Sequence, residues 1–166
     1  MAIEKVRDYL KQWGRDGDIR EFDVSSATVE LAAKALNCEP ERIAKTLSFG
    51  IDGSCVLIVA AGDAKVDNTK FKGLFRTKAK MLAPDEVREL VGHAVGGVCP
   101  FGVNQGVRVY LDISLRRFKT VFPACGSSNS AIELTPEELE KYSGSLEWID
   151  VCKGWQDEGS EKAGVF

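Results

Sequence analysis

Residues 43–61, IAKTLSFGIDGSCVLIVAA, decide the fold because they join two strand-like stretches through a turn. Residues 43–49 have the period-2 pattern of a strand, Gly50-Ile51-Asp52-Gly53 has the composition of a turn, and residues 54–61 are almost wholly apolar. A strand that is apolar on both faces is covered on both sides. The sequence therefore predicts a β-hairpin whose second strand is central in a sheet.

Short helices and strands are predicted on both sides of this hairpin. Ile3, Val6, Leu10 and Trp13 repeat at helical spacing. A second helix carries its apolar stripe on Val29, Ala32, Ala33 and Leu36, with Ser25 or Ser26 as its cap. Further helices are predicted over residues 68–74, 84–91 and 136–142, and further strands over 19–24, 79–82, 107–111, 120–125, 131–134 and 146–151.

The composition is that of one globular domain. The 166 residues are 44% hydrophobic and 28% charged, with a net charge of −3, which excludes a disordered chain and a uniformly basic nucleic-acid binder. We expect a domain over residues 1–152 and a polar C-terminal tail over 153–166. The longest apolar run is too short for a membrane span, and no signal peptide is evident, so a cytoplasmic protein is expected.

The cysteines and the histidine do not form a metal-binding pattern. Five widely spaced cysteines lack a C-x-x-C pair, and His93 is the single histidine, so we expect no metal and no cofactor. Cys99 lies six residues after His93, which leaves open a Cys–His nucleophile or an incidental small residue.

Lys45 is the first candidate functional residue. Strand alternation places it on the same face as Ile43, Leu47 and Phe49. An ammonium group on an apolar face must reach a carboxylate, extend to solvent at the sheet edge, or face a cleft that binds a ligand. These alternatives stay open from spacing alone.

Two glycine-containing loops are candidate ligand-binding segments. Residues 96–102, GGVCPFG, could expose backbone N–H groups to an anion or form a plain structural turn. Residues 126–130, GSSNS, could be a hairpin turn or a hydrogen-bonding rim. Neither composition decides between its two interpretations.

A basic cluster lies between residues 65 and 80. It contains Lys65, Lys70, Lys72, Arg76, Lys78 and Lys80 against one acidic residue, Asp67. Such a cluster is either a phosphate-binding face or a solvated helix surface anchored by Phe71 and Phe75.

Three segments in combination resemble the YbaK/EbsC-type proteins. They are Ile43-Ala44-Lys45-Thr46-Leu47, the loop at 96–102, and Gly126-Ser127 leading to Ile132-Glu133-Leu134. These are relatives of the insertion domain of prolyl-tRNA synthetase. The resemblance extends over residues 1–151 and implies an α+β fold with a mixed, largely antiparallel central sheet surrounded by short helices.

The resemblance also implies a function, which is hydrolysis in trans of the ester of mischarged aminoacyl-tRNA. The expected substrate is tRNA for proline carrying Ala, Ser, Thr or Cys, and prolyl-tRNA synthetase is an expected partner. Lys45 would position the ester or the terminal ribose, and the backbone of the loop containing Gly97, Pro100, Phe101 and Gly102 would hold the carbonyl or phosphate side while water attacks.

The remaining implied contacts are with the amino acid and the RNA. Substrate-binding residues would be Phe22, Thr28, Val29, Ala32, Thr46, Gly126 and Ser127, and tRNA-binding residues would be Lys70, Lys72, Arg76, Lys78 and Lys80. The sequence departs from the family at Cys99 and at Ser128-Asn129-Ser130, where many relatives carry an arginine. A non-catalytic tRNA- or protein-binding module and a hydrolase that uses Cys99 are the alternatives.

Overall fold

The computed structural model describes residues 2–155, in which short helices alternate with strands. The helices are α1 (Ala2–Leu10), α2 (Val29–Leu36), α3 (Asn68–Phe75), α4 (Pro84–Val91) and α5 (Pro136–Ser143). The strands are β1 (Arg20–Glu21), β2 (Ile43–Ile51), β3 (Ser54–Ala61), β4 (Lys65–Val66), β5 (Arg108–Asp112), β6 (Phe122–Pro123), β7 (Ser130–Ala131), β8 (Glu147–Ile149) and β9 (Cys152–Lys153). Turns of 3₁₀ helix lie at Lys11–Trp13, Asp16–Asp18, Pro40–Arg42 and Ile113–Arg117.

The predicted hairpin is the centre of the main sheet, whose strand order is β6-β2-β3-β5-β8. Asp52 and Gly53, with φ of 51° and 76°, form the two-residue turn, because both central residues of such a turn need positive φ. β2 and β3 pair antiparallel over eight residue pairs, whereas β6, β5 and β8 join by shorter parallel pairings. Two further ladders, β1 with β7 and β4 with β9, are antiparallel. The predicted α+β class with a mixed sheet and short surrounding helices is confirmed.

The hydrophobic core surrounds β3, as its sequence predicts. Every residue from Cys55 to Ala61 is at most 2% exposed. Val6 and Leu10 of α1 and Phe71 of α3 are fully buried in the same cluster. β2 pairs along one edge with this buried strand β3, which therefore fixes the position of the opposite, outer edge of β2.

The cap of α2 differs from the prediction. Thr28 Oγ1, rather than Ser25 or Ser26, accepts the hydrogen bond from the Leu31 amide, and Asn37 ends the helix with φ of 55°. Ser26 is instead used in a tertiary contact, because its amide donates to the Ser128 carbonyl at 2.6 Å.

Several predicted strands are shorter in the structure. The stretches 19–24, 120–125, 131–134 and 146–151 shrink to β1, β6, β7 and β8, and within 79–82 only Met81 pairs, opposite Phe49. The length of each strand depends on how many residues of the neighbouring strand pair with it. This depends on the tertiary fold, and the β-propensity of the local sequence does not predict it.

The packed domain extends beyond the predicted boundary at residue 152. Lys153 pairs with Lys65, and Trp155 packs against the main core. The rest of the predicted tail lies outside the described residues. Within residues 2–155, no helix is long and apolar enough to cross a bilayer, and no cluster of three or more His, Cys, Asp or Glu could hold a metal ion.

Candidate active site at a broken sheet edge

The outer edge of β2 is paired at both ends and open in the middle. Ile43 and Ala44 pair with β6, while Gly50 N donates to Lys80 O at 3.0 Å and Leu82 N donates to Ser48 O at 3.1 Å. The hairpin register directs the peptide groups of residues 45, 47 and 49 toward β3 and those of 44, 46 and 48 outward. The Thr46 peptide therefore faces the gap between the two pairings.

A cavity of about 430 Å³ lies at this gap, within the range of small-ligand sites. α2, the loop around residue 96, the start of α4 and the strands at 122–130 surround it. Its lining residues are Ser26, Ala27, Thr28, Val29, Ala32, Ile43, Ala44, Lys45, Thr46, Leu47, Ser48, Met81, Leu82, Pro84, Val87, Val95, Gly96, Val98, Phe122, Ala124 and Ser130. None of these is Asp, Glu, His or Cys, so the described part of the cavity contains no evident side-chain base other than Lys45.

Lys45 is a half-buried cation in the wall of this cavity. Its Nζ donates to the Gly62 carbonyl at 3.3 Å, and within residues 2–155 it forms no ion pair with a carboxylate. Burial lowers the pKa of the Lys45 ammonium below its usual value. Of the alternatives that the sequence left open, the carboxylate partner is therefore absent in the described chain, and the side chain borders a cleft.

Hydroxyl groups supply most of the remaining side-chain polarity. Thr46 Oγ1 is buried and has no hydrogen-bond partner within the described residues, although a buried polar atom left unpaired costs about 1–3 kcal/mol. Ser48 and Ser130 are also buried cavity residues. Thr46 is thus a residue of the cavity wall whose hydroxyl has no partner among the described residues.

The structure places five of the predicted site residues in this one cavity: Lys45, Thr46, Thr28, Val29 and Ala32. Ser48, Met81 and Val95 also line the cavity and were not predicted as site residues. Gly96 and Ser130 belong to the two predicted loops, and Ser26 lies at the start of the predicted second helix. Ser48 had a usable signal, because period 2 places it on the same strand face as Thr46. The others come from separate segments, and only the fold shows that they meet.

The loop at 96–102 contributes differently from the expectation. Gly96 and Val98 line the cavity, whereas Gly97, Pro100, Phe101 and Gly102 do not. Phe101 is a fully buried core residue against Tyr9, Pro100 is buried, and a Cβ at Gly102 would lie 3.5 Å from Lys5 of α1. These four residues therefore do not line the cavity, because the loop turns into the core after Val98.

Gly97 has a structural requirement for glycine. A Cβ there would lie 2.6 Å from the backbone of Gly126 and Ser127. The two predicted loops thus pack backbone against backbone, which no side chain would allow.

The loop at 126–130 supports the cavity from behind. Gly126 and Ser127 do not line the cavity. Ser130 does line it, and its Oγ accepts a hydrogen bond from Ser127 Oγ at 2.6 Å. Phe22 is also outside the lining; its backbone bonds Asn129 through both its amide and its carbonyl. These residues position the wall and do not form it.

His93 and Cys99 are brought together in the core. Cys99 Sγ lies 3.6 Å from His93 Nε2, and both groups also contact the Phe101 carbonyl. Both residues are at most 1% exposed, and burial raises the pKa of the Cys99 thiol to about 12. The thiol is therefore protonated and has no access to a ligand, which opposes the Cys99-dependent alternative.

The residues of the basic cluster differ in their contacts. Lys70 donates to Asp150 at 2.9 Å and to the Cys152 carbonyl at 3.1 Å, and Lys80 lines a depression with Gly50, Glu86 and Leu90. Lys72 and Lys78 line a separate groove, and Arg76 is the left-handed residue that ends α3. Phe71 and Phe75 stack on each other with centroids 4.7 Å apart and anchor α3 to the core.

This α+β domain, with a lysine-bearing cavity at a broken strand edge, has the fold of an editing domain. The sequence profile of the aminoacyl-tRNA editing domain matches residues 24–142, and the chain belongs to this family. It is 57% identical over 157 residues to the uncharacterized protein YwhH of Bacillus subtilis (strain 168), covering 94% of this chain and 100% of that protein.

Two further comparisons connect the family to prolyl-tRNA synthetase. The chain is 31% identical over 114 residues to proline–tRNA ligase of Geobacillus sp. (strain WCH70), covering 66% of this chain and 20% of the ligase. The crystal structure of a candidate trans-editing enzyme for prolyl-tRNA synthetase superposes with a TM-score of 0.83 at 30% identity, covering 92% of this chain and 98% of that one. The resemblance stated from the sequence is confirmed.

Proposed function

We propose that this protein is an aminoacyl-tRNA deacylase that acts in trans, on tRNA for proline carrying a small wrong amino acid. Family membership and the similarity to a segment of proline–tRNA ligase support an editing function. The similarity to a candidate trans-editing enzyme over nearly the whole of both chains supports an activity that does not need a fused synthetase.

The observation that carries this proposal is Lys45 at the broken edge of β2. This half-buried lysine lines the cavity and has no ion-pair partner in the described chain, and the next residue of the strand, Thr46, has an outward-facing peptide group. A cation in such a partly dehydrated site stabilises or orients an ester much better than it would in water.

The reaction is an ester hydrolysis. A water oxygen attacks the ester carbonyl carbon, the bond from that carbon to the ribose oxygen breaks, and the ribose oxygen takes up a proton. The products are the free amino acid and tRNA with a free 3′ end. Because no Asp, Glu, His or Cys lines the described cavity, the proposed catalysis depends on positioning and on fixed donors: the Lys45 ammonium, the Thr46 peptide and the cavity hydroxyls.

We place the amino acid side chain against apolar residues of the cavity lining. Val29, Ala32, Ile43 and Phe122 form its apolar end, and Ala32, Ile43 and Phe122 belong to one packed cluster. One methylene in such a site changes binding by about 1–3 kcal/mol, so Ala, Ser, Thr and Cys are all retained as candidates.

The proposed partners and compartment follow from the substrate. Mischarged aminoacyl-tRNA is the ligand, prolyl-tRNA synthetase is the enzyme whose errors would be removed, and the cytoplasm is where charged tRNA is found.

The test is a deacylation screen with the full-length chain. Purified tRNA for proline is charged separately with Ala, Ser, Thr, Cys and the correct Pro, and release of labelled amino acid is compared with the rate in buffer. We expect at least one wrong ester to be hydrolysed and the Pro ester to be spared. Binding of these tRNAs without any acceleration would favour the non-catalytic binding module instead.

A further inference from the structure

A second concave site lies outside the cavity, between α3 and the segment that follows it. This groove has a volume of about 630 Å³ and is lined by Asn68, Thr69, Lys72, Gly73, Lys78 and Ala79. Its lining therefore combines two cations, an amide and a hydroxyl, and it contains no carboxylate. Asp67, which precedes it, is engaged by the amides of Thr69 and Lys70 as the cap of α3.

The two groove lysines have no ion-pair partner within the described chain, in contrast to several of its arginines. Arg7, Arg15, Arg20, Arg42 and Arg117 all pair with carboxylates. Lys70, on the same helix as Lys72, is bound to Asp150. Lys72 and Lys78 are exposed and form no ion pair within residues 2–155. In a chain of net charge −3, this groove therefore holds two cations and no lining carboxylate within the described residues.

One short stretch of chain connects the lining of the groove to the lining of the proposed active site. Ala79 lines the groove, and Met81, two residues later, lines the cavity and pairs with Phe49 of β2. In an extended segment, two residues span about 7 Å. Met81 is 60% exposed, so an apolar surface lies between the lysines and the cavity mouth.

We infer that this groove binds the sugar–phosphate backbone of the tRNA 3′ strand just upstream of the terminal aminoacyl-adenosine. Lys72 and Lys78 contact phosphate, and Met81 packs against a base between the groove and the cavity. Alternating cationic and apolar contacts are how proteins hold single-stranded nucleic acid without reading its sequence. The inference rests on the proposed function and adds the direction from which the substrate enters.

The experiment compares two substrates that share the ester and differ in the phosphates. One is alanyl-tRNA for proline, and the other is 3′-O-alanyl-adenosine, which has no upstream phosphate; the amino acid is exchanged if the screen selects another. The variant is Lys72→Glu with Lys78→Glu, and the matched control is Lys34→Glu with Lys141→Glu, two exposed lysines on α2 and α5. Binding of a labelled uncharged oligonucleotide ending in CCA is measured by anisotropy at several salt concentrations.

The groove variant should lower kcat/KM for the tRNA ester and leave kcat/KM for alanyl-adenosine unchanged, while the control variant changes neither. Its plot of log affinity for the oligonucleotide against log salt should be shallower by about 1.4, because two single-strand phosphate contacts are lost. An equal loss on both substrates, or unchanged oligonucleotide binding, would overturn the inference and leave the proposed activity standing. If the wild-type protein hydrolyses neither ester, the proposed function fails, and the oligonucleotide measurement still decides about the groove.

Discussion

Truncation of Lys45 tests the proposed mechanism most directly. In Lys45→Ala, the cavity loses its ammonium group while the paired ends of the β2 edge stay in place. Loss of one preorganised electrostatic contact in an active site typically lowers the rate by about 10²–10³, or roughly 2.7–4 kcal/mol of transition-state stabilisation. We expect a decrease of this size in single-turnover deacylation.

The effect on folding should be much smaller. Within the described chain, Lys45 Nζ forms one hydrogen bond, to the Gly62 carbonyl, and such a bond contributes about 0.5–1.5 kcal/mol net. The lowered pKa shows that burial of the charge already opposes this gain. The free energy of unfolding should therefore change little, and tRNA affinity should be retained because Lys72 and Lys78 lie in a separate groove.

The assay measures single-turnover release of the labelled amino acid from the best substrate of the screen, with protein in excess. Lys45→Met retains the aliphatic part of the side chain and should be as slow as Lys45→Ala, whereas Lys34→Ala, an exposed lysine on α2, should match the wild type. Near-wild-type rates in folded Lys45→Ala would refute the electrostatic role and reduce Lys45 to a packing residue.

Three other substitutions separate activity from stability. Cys99→Ser should keep most of the deacylase activity, since the thiol is buried and protonated; a trapped acyl-enzyme in the wild type would contradict this. Thr46→Val should hold or raise Tm, because the lost hydroxyl has no partner in the described structure, and should lower kcat/KM; a lower Tm with unchanged kcat/KM would show a structural role. Glu133→Gln should lower the free energy of unfolding by about 1 kcal/mol at neutral pH. The Thr120 hydrogen bond, with Arg20 and Arg42, holds the pKa of Glu133 below its usual 4.5. Urea denaturation should therefore show the full difference in unfolding free energy between wild type and Glu133→Gln above pH 4.5. This difference should disappear as the pH falls through the lower pKa of Glu133 in the folded protein.

The hairpin and its lysine were predictable because both depend on local pattern. The apolar run at 54–61 requires a covered strand, and period-2 alternation alone is enough to make Lys45 stand out on an apolar face. The positions of Thr28, Val29 and Ala32 followed from the family resemblance, and the cavity contains all three.

What the sequence did not predict depends on contacts between distant residues. Lys70 and Lys72 are equivalent by composition, yet Lys70 is bound by Asp150, eighty residues away. Glycine and proline in the loop at 96–102 indicate a turn but not which of its residues face the cavity, and Phe101 enters the core instead. The 3.6 Å distance between His93 Nε2 and Cys99 Sγ likewise could not be predicted without the fold. The two groups are close enough to interact, and it is their burial that opposes a catalytic role.

Under the proposed function, the break in the β2 edge would supply fixed hydrogen-bonding groups to a site that has no acidic, histidine or cysteine side chain in its described lining. An edge strand normally offers its peptide groups along its whole length, which favours pairing with another strand. Here β6 and Met81 pair with the two ends of β2, so the open peptide group at Thr46 lies in a short gap that borders the cavity. Because both ends of the edge are paired, this peptide group is held in place without a ligand, and Lys45, bound to the Gly62 carbonyl, lines the same cavity. Such fixed donors require no reorganisation during the reaction, which is the condition under which electrostatic stabilisation of a transition state is most effective.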